Sequence, residues 1–405
     1  MKVPKVHKEI GIIGGGISGL YAAHMLYKCS SNLSISIYEK ASYWGGRIRT
    51  IVYDREVMDT GAGRFNKKHT LLIALIKEFK LQEYMFKLNT RKQFIKDGKT
   101  IDFHTLKYIN MAIKKASTES KKRLTTMTFD MFLREFLPDS IVIDMISAFG
   151  YVTEFENMNA YEAITLFKND FVQDIDYFSL KGGLSRIVNT LVDSLKSKGC
   201  KMYLNSDVED TYLPESNSGR SIVVNGKTIT YDHVYFCLPK SGLVKFFGNC
   251  NGKGNSAKFL NAVGAAPLHR IYAKFPVSSG EKVWFHGLPK VTTNGLLGTI
   301  IPLNYDTGFV MISYTDGRAA EKWRRVGNLK DHIMLHLRKM FPGKDIPDPL
   351  WVKNFYWSEG IHYWHPGASV AFKGKGEKYT ICGEVMEGHG WIEGALRSVN
   401  KHCSF

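Results

Sequence analysis

"GIIGGGISGLYAAHML" spans Gly11 to Leu26, and its reading decides the fold. Gly14, Gly16 and Gly19 stand in the spacing G-x-G-x-x-G. The apolar run before it, "EIGII", reads as a buried parallel strand, and "GLYAAHMLYKC" after it reads as a helix. In that setting each glycine has a task. The first permits the tight turn from strand to helix, the second lets a pyrophosphate approach the backbone, and the third lets helix and strand pack closely. The phosphates then face the helix N-terminus, where free N–H groups favour negative charge. The next strand, "LSISIYEK", ends in Glu39, about 20 residues beyond Gly19, the spacing of an acid that accepts hydrogen bonds from a ribose 2′-hydroxyl. A carboxylate there favours the plain ribose of FAD or NAD over the phosphorylated ribose of NADP.

Composition bounds the rest. The chain has 405 residues, 44% hydrophobic and 13% aromatic, enough for one large or two medium domains with a sizeable core, and too apolar for a disordered chain. Its formal net charge is +17, from 55 Lys and Arg against 38 Asp and Glu. The lysines are scattered, and the densest run (Lys114, Lys115, Lys121, Lys122, Arg123) reads as a solvated face in a polar stretch. The charge leaves open an anionic ligand or an acidic substrate, with nucleic acid the least supported partner. Six cysteines, at 29, 200, 237, 250, 382 and 403, form no C-x-x-C pair, so reduced thiols and a cytoplasmic setting are expected, with no metal site. No apolar run reaches the roughly 18 residues of a membrane helix, and "MKVPKVHKEIGII" lacks a signal-peptide core, so no membrane association is expected.

"SYWGGRIRT", Ser42 to Thr50, follows Glu39 closely. It resembles the R-x-G-G-R-x-x-[ST] element of the flavin-containing amine oxidase family, which includes monoamine, polyamine and L-amino acid oxidases. Gly45, Gly46, Arg47 and Thr50 match, and Tyr43 replaces the first arginine. "MDTGAGRF", Met58 to Phe65, is similar to the family segment that runs past the flavin ring, with Gly61 and Ala62 at its centre. "YTICGEVMEGHGWIEGALRS" resembles the closing signature through Gly383, Glu384, Gly390, Trp391, Glu393, Gly394 and Ala395. The resemblance implies that Gly14, Gly16, Ser18, Gly19, Glu39, Gly46, Arg47, Gly61, Ala62, Arg64, Val208, Gly383, Glu384, Trp391 and Ile392 hold FAD. Val208 would meet the adenine, Glu384 the ribityl–diphosphate, and the helix opening at Trp391 the flavin pyrimidine. Ile361 falls near the cysteine that links flavin in the monoamine oxidases, so the flavin is expected to be non-covalent.

The same resemblance implies an α/β protein: a discontinuous Rossmann-like FAD-binding domain (1–66, 175–250, 355–405) and an α+β substrate-binding domain (67–174, 251–354). "TLLIALIKEFKLQEYMF" has helical spacing, while "LHRIYAKFP", "GLLGTIIPL" and "GFVMISYT" read as strands.

Four residues are the catalytic candidates. Arg64 occupies the place where L-amino acid oxidases bind the substrate carboxylate, a group that a planar guanidinium grips through two parallel hydrogen bonds. A structural arginine paired with an acid or with the cofactor is the competing reading. Arg270 replaces the family lysine that holds a water near flavin N5. An arginine stays charged and is no tunable base, and the exchange favours dehydrogenase or desaturase behaviour over fast reaction with oxygen. Trp391 and His362 fall near the two aromatic positions that bracket the amine, with core packing around Trp357 and Trp364 an equal alternative. His389 reads as hydrogen-bonded or solvent-facing. The expected function is hydride transfer from an amine or amino acid to flavin, with oxygen as acceptor. The alternatives are a desaturase of a lipid or isoprenoid-like substrate and a basic, non-enzymatic flavoprotein on nucleic acid.

Overall fold

The glycine-rich opening folds as a strand–turn–helix unit. We describe the chain from a computed structural model over residues 7–171, 175–213, 219–248, 255–368 and 374–403, so Cys250 lies outside the described residues. The strand Lys8–Ile13 lies between Leu33–Tyr38 and His233–Phe236, parallel to both. Gly14 follows at φ +105°, a left-handed turn that a side chain would strain, and the helix Ile17–Cys29 starts two residues after Gly15. That helix is tight against the strand because a Cβ at Gly19 would sit 2.0 Å from the Gly14 carbonyl oxygen.

Strands from far along the chain complete this sheet. Its order is Lys201–Tyr203, Leu33–Tyr38, Lys8–Ile13, His233–Phe236, Tyr379–Ile381 and Lys375–Gly376. All but the last pairing are parallel, and Ile12, Ile37, Val234 and Phe236 are fully buried, as expected for strands covered on both faces. One face carries the helices Ile17–Cys29, Ser185–Ser197 and Trp391–His402, which meet through Leu20, Ala22, Ile187, Leu191, Leu396 and Val399. The antiparallel layer Val208–Tyr212, Arg220–Val224 and Lys227–Tyr231 shares the core of the other face.

A second sheet of seven strands has the order Trp351–Trp364, Val263–Lys274, Phe309–Asp316, Thr299–Asn304, Lys290–Thr293, Lys92–Lys96 and Lys99–Ile101. It is antiparallel except where Lys290–Thr293 and Lys92–Lys96 run parallel. The helices between Thr105 and Asp170 pack over a separate aromatic core of Phe129, Phe132, Phe155 and Phe167. The expected domain borders shift in two places. The 14-residue strand Trp351–Trp364 crosses the border expected at 355 and pairs with Val263–Lys274, because one long strand is edge to one sheet while its end feeds the other domain. The helix Thr70–Glu78 buries Leu72, Leu75 and Ile76 in the nucleotide-domain core, not in the substrate domain; Glu393 caps it by accepting from the backbone N–H groups of Leu71 and Leu72, each at 3.0 Å. Helical spacing in sequence shows an apolar face but not which core receives it. Among the described residues no helix is long and apolar enough to cross a membrane.

Candidate active site

The glycine loop leaves space where a diphosphate would lie. A Cβ at Gly16 would meet nothing within 4 Å, and at Gly46 only the Cα of Gly16, at 3.5 Å. No side chain caps the helix Ile17–Cys29 at Gly16, so its first N–H groups stay available. Gly383 (φ +139°) closes the cradle, its Cβ position 3.7 Å from Ser18 Oγ. The Glu39 carboxylate accepts from the N–H groups of Gly15 and Ala41, each at 2.8 Å, and so ties the end of the second strand to the glycine loop. The backbone of Ser206 donates to the Glu39 carbonyl at 2.9 Å, which brings Val208 beside it. The Val208 carbonyl accepts from Lys245 Nζ at 2.7 Å.

Beyond the cradle, the arms flanking the hairpin Thr50–Tyr53 and Glu56–Asp59 pair further. Thr60 N–H donates to the Arg49 carbonyl and Ala62 N–H to that of Arg47. Gly61 is required there, since a Cβ would lie 2.1 Å from the Arg47 oxygen. Arg47 Nη1 donates to Glu384 Oε2 at 3.0 Å and to the Gly360 carbonyl at 3.1 Å. Glu384 also accepts from the His362 backbone and pairs with His362 Nδ1 at 2.5 Å. His362 Nε2 accepts from Lys240 N–H at 3.2 Å, which assigns the proton to Nδ1. His362 is thus fully buried with both nitrogens committed, beside Glu384. Its ring donates to Glu384 and accepts from the Lys240 N–H, and its expected place as an aromatic wall for the amine is kept as a proposal.

Arg270 props the same hairpin. Its Nη1 donates to the Asp59 carbonyl at 2.7 Å, as does the Tyr272 hydroxyl, and its guanidinium lies 4.5 Å over the Tyr314 ring. A Cβ at Gly63 would sit 2.7 Å from Arg270 Nη1, so glycine there lets the segment pass. Arg270 Nε is buried without a hydrogen-bond partner. The helix Trp391–His402 begins nearby with no side-chain cap at Gly390, and Ile392 is buried in its first turn. An open glycine cradle, two uncapped helix N-termini and an orphaned guanidinium N–H fit a dinucleotide carrying a ring that develops negative charge on reduction.

Arg64 and Trp391 come together. The Arg64 guanidinium lies 4.6 Å from the Tyr177 ring centre, 5.4 Å from Trp391 and 5.7 Å from Tyr151. Among the described residues its guanidinium has no hydrogen bond and no ion pair, so no acid of the chain pairs with it, while pairing with the cofactor stays open. Trp391, at φ +53°, donates from Nε1 to His389 Nδ1 at 3.0 Å, and His389 faces Glu154 at 3.6 Å. His389 is buried, not solvent-facing. Burial, then the neighbouring Asp316, pushes the Glu154 carboxyl up to about 8, so this one acid near Arg64 is largely neutral at pH 7. Tyr151, Tyr177, Glu154 and two lysines taken up below carried no signal in the sequence, because they lie on elements whose meeting point only the packing defines.

The chain matches the family described as flavin containing amine oxidoreductase over residues 17–398. It is 23% identical over 435 aligned positions to lysine-specific histone demethylase 2 of Homo sapiens, which covers 98% of this chain and 51% of that protein. It is also 23% identical to coproporphyrinogen III oxidase of Staphylococcus aureus, over 60% of this chain and 62% of the relative. The chain therefore spans less than two thirds of the length of these two relatives. The wild-type putrescine oxidase bound to putrescine superposes with a TM-score of 0.76 at 16% identity, covering 97% of both chains, a likeness of fold. The match over nearly the whole chain places this protein in the flavin containing amine oxidoreductase family.

Proposed function

We propose that the protein is an FAD-dependent oxidoreductase that oxidises an amine bearing a carboxylate, and that Arg64 binds that carboxylate. The observation that carries this reading is a guanidinium enclosed by Tyr151, Tyr177 and Trp391 with no anionic partner of its own. Such a group is costly to leave unpaired, and a ligand carboxylate relieves the cost. A flavin held by this cradle would supply the two-electron oxidation of the amine-bearing carbon, with the carbonyl product and ammonia released by water. The chain's residues position and polarise. The ring of Trp391 and the Tyr177 ring fix the guanidinium, Arg270 holds the 59–63 segment in place, and the opening of Trp391–His402 presents N–H groups. Ile361 in place of a linking cysteine supports a non-covalent flavin, and oxygen, with peroxide as product, is the proposed acceptor. The cationic lining opposes the lipid or isoprenoid reading, since a hydrocarbon chain offers nothing to solvate buried charge.

The test is anaerobic mixing of holoprotein with amino acids, simple amines, polyamines and coproporphyrinogen III, read as loss of the oxidised flavin absorbance. Bleaching by carboxylated amines supports the proposal, and bleaching by coproporphyrinogen III alone overturns it. Arg64→Ala is expected to raise KM for carboxylated amines by about 10- to 100-fold relative to simple amines, the size of a lost charge-assisted hydrogen bond. Equal effects on both classes would remove Arg64 from substrate binding.

A further inference from the structure

Register carries the argument from Arg270 across the second sheet. Arg270 pairs with Tyr314, Tyr314 with Thr299, Thr299 with Thr292, and Thr292 with Phe94. Directly paired residues point to the same face, so these five share one. Lys290 stands two residues before Thr292 and Lys92 two before Phe94, which puts both lysines on that face, and they are register partners of each other. Four inter-strand spacings separate Arg270 from Lys92, about 19 Å at about 4.8 Å each. Arg64 stands between: its guanidinium and Lys290 Nζ both approach the Tyr151 ring, at 5.7 and 5.4 Å.

Lys92 is exposed, and Arg64 and Lys290 are half-buried. Neither lysine has an ion pair or hydrogen bond among the described residues. Burial, then Arg64, lowers the Lys290 ammonium to about 7. Two like charges placed side by side with no acid between them oppose stability, and an anion between them removes the penalty.

We infer that Lys92 and Lys290 form a second anion-binding position, so that the substrate is a dianionic amine whose far end carries a carboxylate or phosphate remote from the oxidised carbon. This rests on the reading of Arg64 as the binder of the near carboxylate. It selects against polyamines, whose far end is cationic.

The test compares holoprotein turnover of aminoadipate and phosphohomoserine with that of norleucine, which ends in a methyl group; the first two separate a carboxylate from a phosphate. The expected kcat/KM for at least one diacid exceeds that for norleucine by about tenfold or more, and the Lys92→Met/Lys290→Met double variant loses that preference. The Lys92→Arg/Lys290→Arg double variant, which keeps the charge, is expected to retain it. No preference in the wild type, or a preference that survives the methionine pair with flavin still bound, overturns the inference. Should no amine reduce the flavin, the proposed function fails, and the anion position is read separately by glutarate. Glutarate is expected to perturb the flavin absorbance and raise the melting temperature of wild type and not of the methionine pair; equal effects, or none in either, overturn it.

Discussion

Glu384 shows how much a single residue carries. Burial pushes its carboxyl up, but His362 and then Arg47 outweigh burial and hold it at about 2 against an ordinary 4.5. A depressed folded value means stabilisation that is complete above 4.5 and lost as pH falls towards 2, worth about 3 kcal/mol. Glu384→Gln is expected to lack that component: in urea titrations its stability falls less than that of wild type between pH 4.5 and 2, while at neutral pH it starts lower. Glu154 works with the opposite sign. Its folded value, raised to about 8 by burial and Asp316, means that stability falls as pH rises from 4.5 to 8, because the native state keeps a proton that the unfolded chain has lost. Glu154→Gln is expected to flatten that fall, measured by the same titrations; an unchanged slope would mean that Glu154 is ionised in the native state. The Glu384 position was legible from the closing signature, whereas its coupling to His362 was not, since it depends on which face of a strand His362 occupies.

At the scale of elements, two glycines of one motif separate folding from binding. A methyl at Gly19 would meet the Gly14 oxygen at 2.0 Å and force the first helix off its strand. At Gly16, an extended residue with ordinary angles, a methyl would touch no protein atom. Gly16→Ala is therefore expected to leave the apoprotein's unfolding free energy within about 1 kcal/mol of wild type while it weakens FAD binding, and Gly19→Ala to destabilise the fold itself by about 1–3 kcal/mol. Calorimetry of the apo- and holoprotein separates the two, and equal apo stability for both variants would refute the close packing. The strand–helix–strand unit was legible from glycine spacing and apolar runs. The helix Thr70–Glu78 was legible as a helix, but its destination was not: Glu393, more than 300 residues later, caps it.

The glycine cradle lies between distant segments of the whole molecule. Arg47, from the nucleotide half, donates to the Gly360 carbonyl of the strand that edges the substrate sheet, and Arg270 from that sheet donates to Asp59. Ligand that binds only the native state stabilises by about 2.7 kcal/mol at a hundredfold excess over Kd. FAD is therefore expected to raise the melting temperature of both halves together, as one transition in calorimetry. A shift confined to a lower or upper partial transition would show that the halves unfold independently.

Spacing along the chain was enough to determine the dinucleotide turn, the buried parallel strands and the flavin-side signatures, because these depend on contacts between near neighbours. Tertiary structure alone decided which cations come together. Lys92 and Lys290 become partners only through one parallel strand pairing, and Arg64 lacks an acid only because of what packs around it. The free energy of a charge is set by what surrounds it in space, and that information is spread across the chain in no local pattern.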